Sequence, residues 1–110
     1  MTQTRLFAMS GNIIKTRKQI MEELGMSKRT VEERLKEIEA ECRPGGRYEN
    51  CQYCVQRSGG FVRVNWLIWN DYETYRTRLK EKNLRKSVPP YNPYRVAYEF
   101  GMYQDKEMVL

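Results

Sequence analysis

The chain contains no histidine and only three cysteines in 110 residues. Without imidazole no side chain has an ordinary pKa near neutrality, and no Ser-Lys pair, glycine-rich phosphate loop or carboxylate cluster takes its place, so an enzyme is not expected. Cys42, Cys51 and Cys54 fall at the spacing C-x8-C-x2-C. Structural zinc sites are nearly always four-coordinate, and no histidine is present to supply the fourth ligand. The expectation is therefore no metal and no other cofactor, with Cys42 and one of its partners packed in the core. An odd cysteine count makes a poor disulfide framework. No run of about 18 apolar residues exists, and the N-terminus MTQTRLFAMSGNIIK lacks the apolar centre and cleavage pattern of a secretion signal. These absences predict free thiols, no membrane partner and a cytoplasmic location. There is no internal repeat and no low-complexity block.

What is present is basic charge. Lys and Arg number 20 against 14 Asp and Glu, a net charge of +6. A balance of that sign points to a polyanionic partner, nucleic acid or an acidic membrane surface. The length suits one small domain with a single modest core.

Ile13 and Ile14 form a short apolar anchor, read as an edge strand. In Thr16-Arg17-Lys18-Gln19 the order T-x-x-Q is a capping box, and Ile20, Met21 and Leu24 recur at helical spacing until Gly25 ends the first helix. Ser27 caps a second helix whose apolar stripe is Val31, Leu35, Ile38 and Cys42. Arg43-Pro44-Gly45-Gly46 breaks the chain. Cys51–Arg57 and Phe61–Trp66 are rich in β-formers and separated by Ser58-Gly59-Gly60, which predicts a hairpin with Val62, Val64 and Trp66 on one face and Phe61, Arg63 and Asn65 on the other. Leu67 to Trp69 then leads into a third helix capped at Asn70, with Glu73 three residues on, a buried stripe of Tyr72, Tyr75 and Leu79, and charge on its opposite face. Beyond Asn83 the Pro/Tyr-bearing stretch VPPYNPY is expected to start extended, with one helical turn within Arg95–Met102 and a frayed end at QDKEMVL.

Short helix, three-residue turn, longer helix, hairpin, helix is the order of a winged helix-turn-helix. The fold class is accordingly α+β, with a β-hairpin wing, a third helix and an extended C-terminal tail, divided into a domain at 1–84 and a tail at 85–110. The alternative for the first two helices is an αα-hairpin that binds no DNA.

The charge order on the second helix is unusual. Lys28 and Arg29 open it, while Glu37, Glu39 and Glu41 close it, and each group opposes the helix dipole by roughly 0.3–1 kcal/mol. If the N-terminal end of this helix enters the major groove, Lys28 and Arg29 meet guanine edges or phosphates, Thr30 lies near a phosphate or thymine methyl, and Glu33 accepts from a cytosine amino group. The late glutamates are expected in solvent, and Lys36 in a weak pair with Glu32 or Glu33. At the wing tip Arg57 is the leading candidate, with Arg63 on the strand behind it; the plain alternative is a solvated arginine beside an ordinary turn. From Arg76 to Arg95 seven basic residues stand against one acid, Glu81. That density suggests phosphate contact, with a solvated basic face as the alternative. The DNA-binding candidates are thus Arg17, Lys18, Ser27, Lys28, Arg29, Thr30, Glu33, Arg57, Arg63, Arg76, Lys80 and Lys82.

The pattern S-x-x-T-V-x-x-x-L from Ser27 to Leu35 resembles the recognition helices of bacterial winged-helix regulators. Over about residues 13–83, the chain also resembles the excisionase-type winged helices of phages and mobile elements. The stretch GGFVRVNWLIWNDYETYRTRL carries that likeness at Gly60, Arg63, Val64, Tyr72 and Tyr75. The resemblance implies a small basic protein that binds double-stranded DNA near recombination sites and directs an integrase or recombinase toward excision, or regulates transcription. It admits a homo-oligomer on DNA. Two alternatives stay open: a plain transcriptional regulator, and a protein-interaction module that holds an integrase or polymerase subunit through the basic third helix and the Tyr-Pro tail.

Overall fold

The computed structural model describes residues 14–51 and 54–99. Ile13, residues 52–53 of the expected first hairpin strand, and residues 100–110 of the tail lie outside them. Strand β1 (Ile14–Thr16) runs directly into α1 (Arg17–Leu24). The capping box forms as the sequence predicts: Thr16 Oγ1 accepts from the Gln19 N–H at 3.1 Å, and the Gln19 side chain accepts from the Thr16 N–H at 2.9 Å. Gly25 closes the helix at φ 65°, a left-handed conformation that costs glycine little. Ser27 caps α2 (Lys28–Glu41), accepting from the Thr30 N–H.

Strands β2 (Val55–Ser58) and β3 (Phe61–Asn65) form the hairpin, and β1 adds antiparallel to the other edge of β3, giving the order β1-β3-β2. The sheet alternates as its period of two requires. Val62 and Val64 are buried, and Phe61 and Arg63 face outward. The hairpin strand starts at Val55, four residues later than the composition suggested, although the Cys54 carbonyl still accepts from the Asn65 N–H at 3.0 Å.

The third helix differs from expectation. Helix α3 (Trp66–Lys80) begins directly at the end of β3, so Trp66 is helical and the cap is Asn65, not Asn70. Asn65 Oδ1 accepts from the N–H groups of Leu67 at 2.9 Å and Ile68 at 3.3 Å. Both residues are Asn before a helical pattern, and only the earlier one sits where the strand must end. Asn70 instead donates back to the Trp66 carbonyl, and Glu73 pairs with Arg34 on α2 at 2.9 Å. Two short helices follow, α4 (Lys82–Arg85) and α5 (Pro93–Glu99).

One core unites these elements: Ile20 of α1, Val31, Leu35 and Ile38 of α2, Val62 and Val64 of the sheet, and Ile68, Trp69, Tyr72 and Leu79 of α3. The segment after α4 turns back onto this body. Tyr91 meets Tyr48 edge-on at 5.1 Å between centroids, and Val96 and Ala97 bury Leu67. No helix among the described residues is long and apolar enough to cross a membrane.

Candidate functional site

The acidic half of α2 does not face solvent; it is where the rest of the chain is tied on. Glu37 accepts two hydrogen bonds from Arg76 of α3 at 2.7 and 2.9 Å, one from the Tyr72 hydroxyl at 2.9 Å, and one from Lys80 at 3.2 Å. The Arg76 bonds, with help from Tyr72 and Lys80, hold its carboxyl down at about 2. Glu41 receives Arg85 of α4 at 2.8 and 2.6 Å and the Arg47 N–H at 2.9 Å, and Arg85 foremost lowers its pKa. Glu39 receives Arg57 of β2 at 3.1 Å. Arg57 reaches Glu32 as well, at 3.1 Å, and Arg17 donates to the same carboxylate. The expected Glu32–Lys36 pair is absent because Glu32 is taken by these two arginines.

Four sequence-derived site residues are therefore committed to ion pairs within the molecule. Arg57 lies against α2 instead of projecting from the wing tip, and Arg76 and Lys80 are bound to Glu37. Arg17 is half-buried against Glu32. The clamp dominated by the Glu39 and Glu32 hydrogen bonds raises the Arg57 pKa further. The sequence shows which residues carry charge but not that glutamates of one helix meet arginines 15 to 44 positions away.

Once the inner glutamates are spent, the outward surface of α2 is basic. Its exposed positions are Lys28, Arg29, Glu33, Lys36 and Ala40, with Arg43 just beyond its end. The Arg29 side chain is 90% exposed, its only ion partner among the described residues Glu33 at 3.7 Å. Lys36 and Arg43 have no ion partner among the described residues, and sequence reasoning passed over both. The helical spacing of 29, 33, 36 and 40 was the signal that could have found Lys36.

Beside this stripe the start of α1 and the β2–β3 hairpin enclose a groove of about 320 Å³, lined by Thr16, Arg17, Lys18, Met21, Lys28, Gly60, Phe61 and Val62. A second hollow lies across the wing, between Gln56, Arg57, Ser58, Phe61 and Arg63. Lys18, Lys28 and Arg63 are exposed and make no ion pair among the described residues. Ser27 and Thr30 are engaged with each other at the cap, the Ser27 hydroxyl donating to Thr30 Oγ1 at 3.0 Å. Lys82 is exposed on α4 and makes no ion pair among the described residues.

A separate polar centre is buried. Arg47 donates to both Asp71 oxygens at 2.7 and 3.0 Å and to the Pro89 carbonyl at 2.6 Å, and the Tyr48 hydroxyl donates to Asp71 at 2.5 Å. Burial, together with the Asp71 carboxylate, pushes the Tyr48 hydroxyl far above its usual range. Asp71, one turn before Tyr75 on the buried side of α3, is thus a carboxylate within the core. Arg95 approaches Asp71 only to 3.9 Å. We read this centre as structural, since it fastens the post-α4 segment to the loop after α2.

The cysteines are not all free. Cys42, the last residue of α2's cap, is disulfide-bonded to Cys54 at the base of the wing, and Cys51 keeps its thiol. Burial and then Asp71 raise the Cys51 pKa, so it is a poor nucleophile near neutrality. Among the described residues no group of three or more potential ligands is placed to hold a metal.

Comparison with protein-family models, curated proteins and solved structures returns no match.

Proposed function

We propose that the chain is a winged helix-turn-helix protein that binds double-stranded DNA, with α2 in the major groove and the β2–β3 hairpin as its wing. The observation that carries the reading is the exposed stripe of α2. A helix with five glutamates in its sequence turns four of them inward to arginines and presents Lys28, Arg29 and Lys36 outward, with Arg43 just past its end, against Glu33 alone. A helix of about 21 Å lying along a groove meets phosphates on both walls, and cations at those positions release counterions. The first-turn cations, unfavourable to the free helix, are then offset by phosphates or base edges.

In this reading Arg29 contacts base edges, Ser27 and Thr30 fix the helix start, and Lys18, Lys28, Lys36, Arg43 and Arg63 hold the backbone. Glu33 limits what bases are accepted. Arg17, Arg57, Arg76 and Lys80 set the geometry from within, and chemistry catalysed by the chain is not part of the proposal. The resemblance of residues 13–83 to excisionase-type proteins makes recombination sites of mobile elements, and the integrase acting there, the first targets to try. Charge reversal at Arg29 and Lys36 together is expected to weaken duplex binding at least about tenfold, each lost phosphate or base contact contributing. Reversal at Lys86, exposed beyond α4, is expected to change it little. Native affinity in the double variant would overturn the placement of α2.

A further inference from the structure

The wing presents an unusual tip. Alternation along β3 sends Val62 and Val64 inward and leaves Phe61 on the outer face, 66% exposed and the most exposed large apolar residue among those described. Its neighbours shield nothing: Ser58 lies directly opposite in the hairpin register, and a methyl group added at Gly60 would meet no atom within 4 Å. The one long cation of the tip, Arg57, is folded away onto Glu32 and Glu39.

Phe61 stands on the ridge between two hollows, and it lines both. The other residues around them include five cations, Arg17, Lys18, Lys28, Arg57 and Arg63, and not one carboxylate. Met21 and Val62 add apolar wall to the first hollow, but exposed Lys18, Lys28 and Arg63 stand around Phe61, and a purely apolar protein partner would leave them unmatched. A polyanion that also offers flat apolar faces fits both features, and stacked bases between two phosphate strands are that ligand.

We infer that Phe61 is a base-stacking wedge, entering a flexible or already unstacked step of duplex DNA while Lys18 and Lys28 on one side and Arg63 on the other engage phosphates. The inference rests on the DNA-binding reading and adds a ligand class to it: duplexes that open easily at one step, such as a pyrimidine–purine step, a mismatch or a bulge. Opening a regular stacked step costs free energy, so the wedge discriminates by how much of that cost the DNA has already met.

The test titrates the full chain into a mixed-sequence duplex, either intact or carrying a single-nucleotide bulge with 2-aminopurine beside it. The bulged duplex is expected to bind about tenfold tighter, with a change in 2-aminopurine fluorescence on binding. Phe61→Ala and Phe61→Leu are expected to bring the two affinities together, leucine keeping apolar bulk but losing the flat ring, while Phe61→Tyr retains the preference. Equal binding of both duplexes by the native chain, or a preference that survives in Phe61→Leu, overturns the wedge and leaves the DNA-binding reading standing. Failure to bind either duplex overturns both.

Discussion

Glu37 joins two helices through one carboxylate. Its partners Arg76, Tyr72 and Lys80 all come from α3, and they keep its pKa at about 2 against an ordinary 4.5. A carboxyl lowered on folding contributes stability that is complete above its unfolded pKa and is lost as pH falls from about 4.5 through 2. Glu37→Gln is accordingly expected to destabilise the fold by about 2 kcal/mol at pH 7, where charge-assisted hydrogen bonds are lost, and by progressively less toward pH 2. Urea unfolding at pH 7 and pH 3 measures both numbers. The buried centre is more severe. Asp71→Ala strands the Arg47 guanidinium and the Tyr48 hydroxyl without a partner, and removing one side of a buried pair costs about 3–5 kcal/mol. A variant that unfolds at the same urea concentration as the native chain would show that this centre is not structural.

Among the elements, the wing is fixed to α2 twice, by Arg57 near its tip and by the Cys42–Cys54 disulfide at its base. The bridge joins positions 12 apart and restricts the unfolded chain. Cys42→Ser is expected to lower stability by about 2–4 kcal/mol in oxidising buffer and to match the native chain in excess dithiothreitol, as thermal melts in the two buffers will show. The loop after α2 depends on Gly46, where an added Cβ would lie 2.2 Å from the Glu41 carbonyl oxygen. That contact is with backbone, so Gly46→Ala must displace the loop that delivers Arg47 to Asp71, at a cost of about 1–3 kcal/mol measured by the same melts. The legible parts of the fold lie in these same elements. The capping box at Thr16, the Gly25 stop, the Ser27 cap, the stripe Val31–Leu35–Ile38 and the alternation of β3 are interactions within a few residues, and the sequence displays them. The start of α3 was misplaced because Asn65 and Asn70 are equal as local signals, and the strand's end, a matter of pairing with β1 and β2, chose between them.

For the whole molecule, charge counted along the chain was a poor guide to charge at the surface. The basic run from Arg76 to Arg95 looked like a phosphate clamp, yet Arg76, Lys80 and Arg85 neutralise the acids of α2, pairs separated by 39 to 44 positions. Folding leaves Arg78, Lys82 and Lys86 exposed along α3 and its exit and sets a second exposed positive face on the outer side of α2, the start of α1 and the hairpin. The candidates Lys18, Lys28, Arg29 and Arg63 were visible beforehand because they stand at element starts and on the outer strand face; Lys36 and Arg43 emerged only when the competing glutamates were seen to be occupied. The most direct measurement is the affinity of the full chain for duplex DNA across a salt series. With about five phosphates engaged by these cations, log K should fall with log salt at a slope near −4.5, and the Arg29/Lys36 reversal should make it visibly shallower. A flat salt response, or no binding at low salt, would contradict the account.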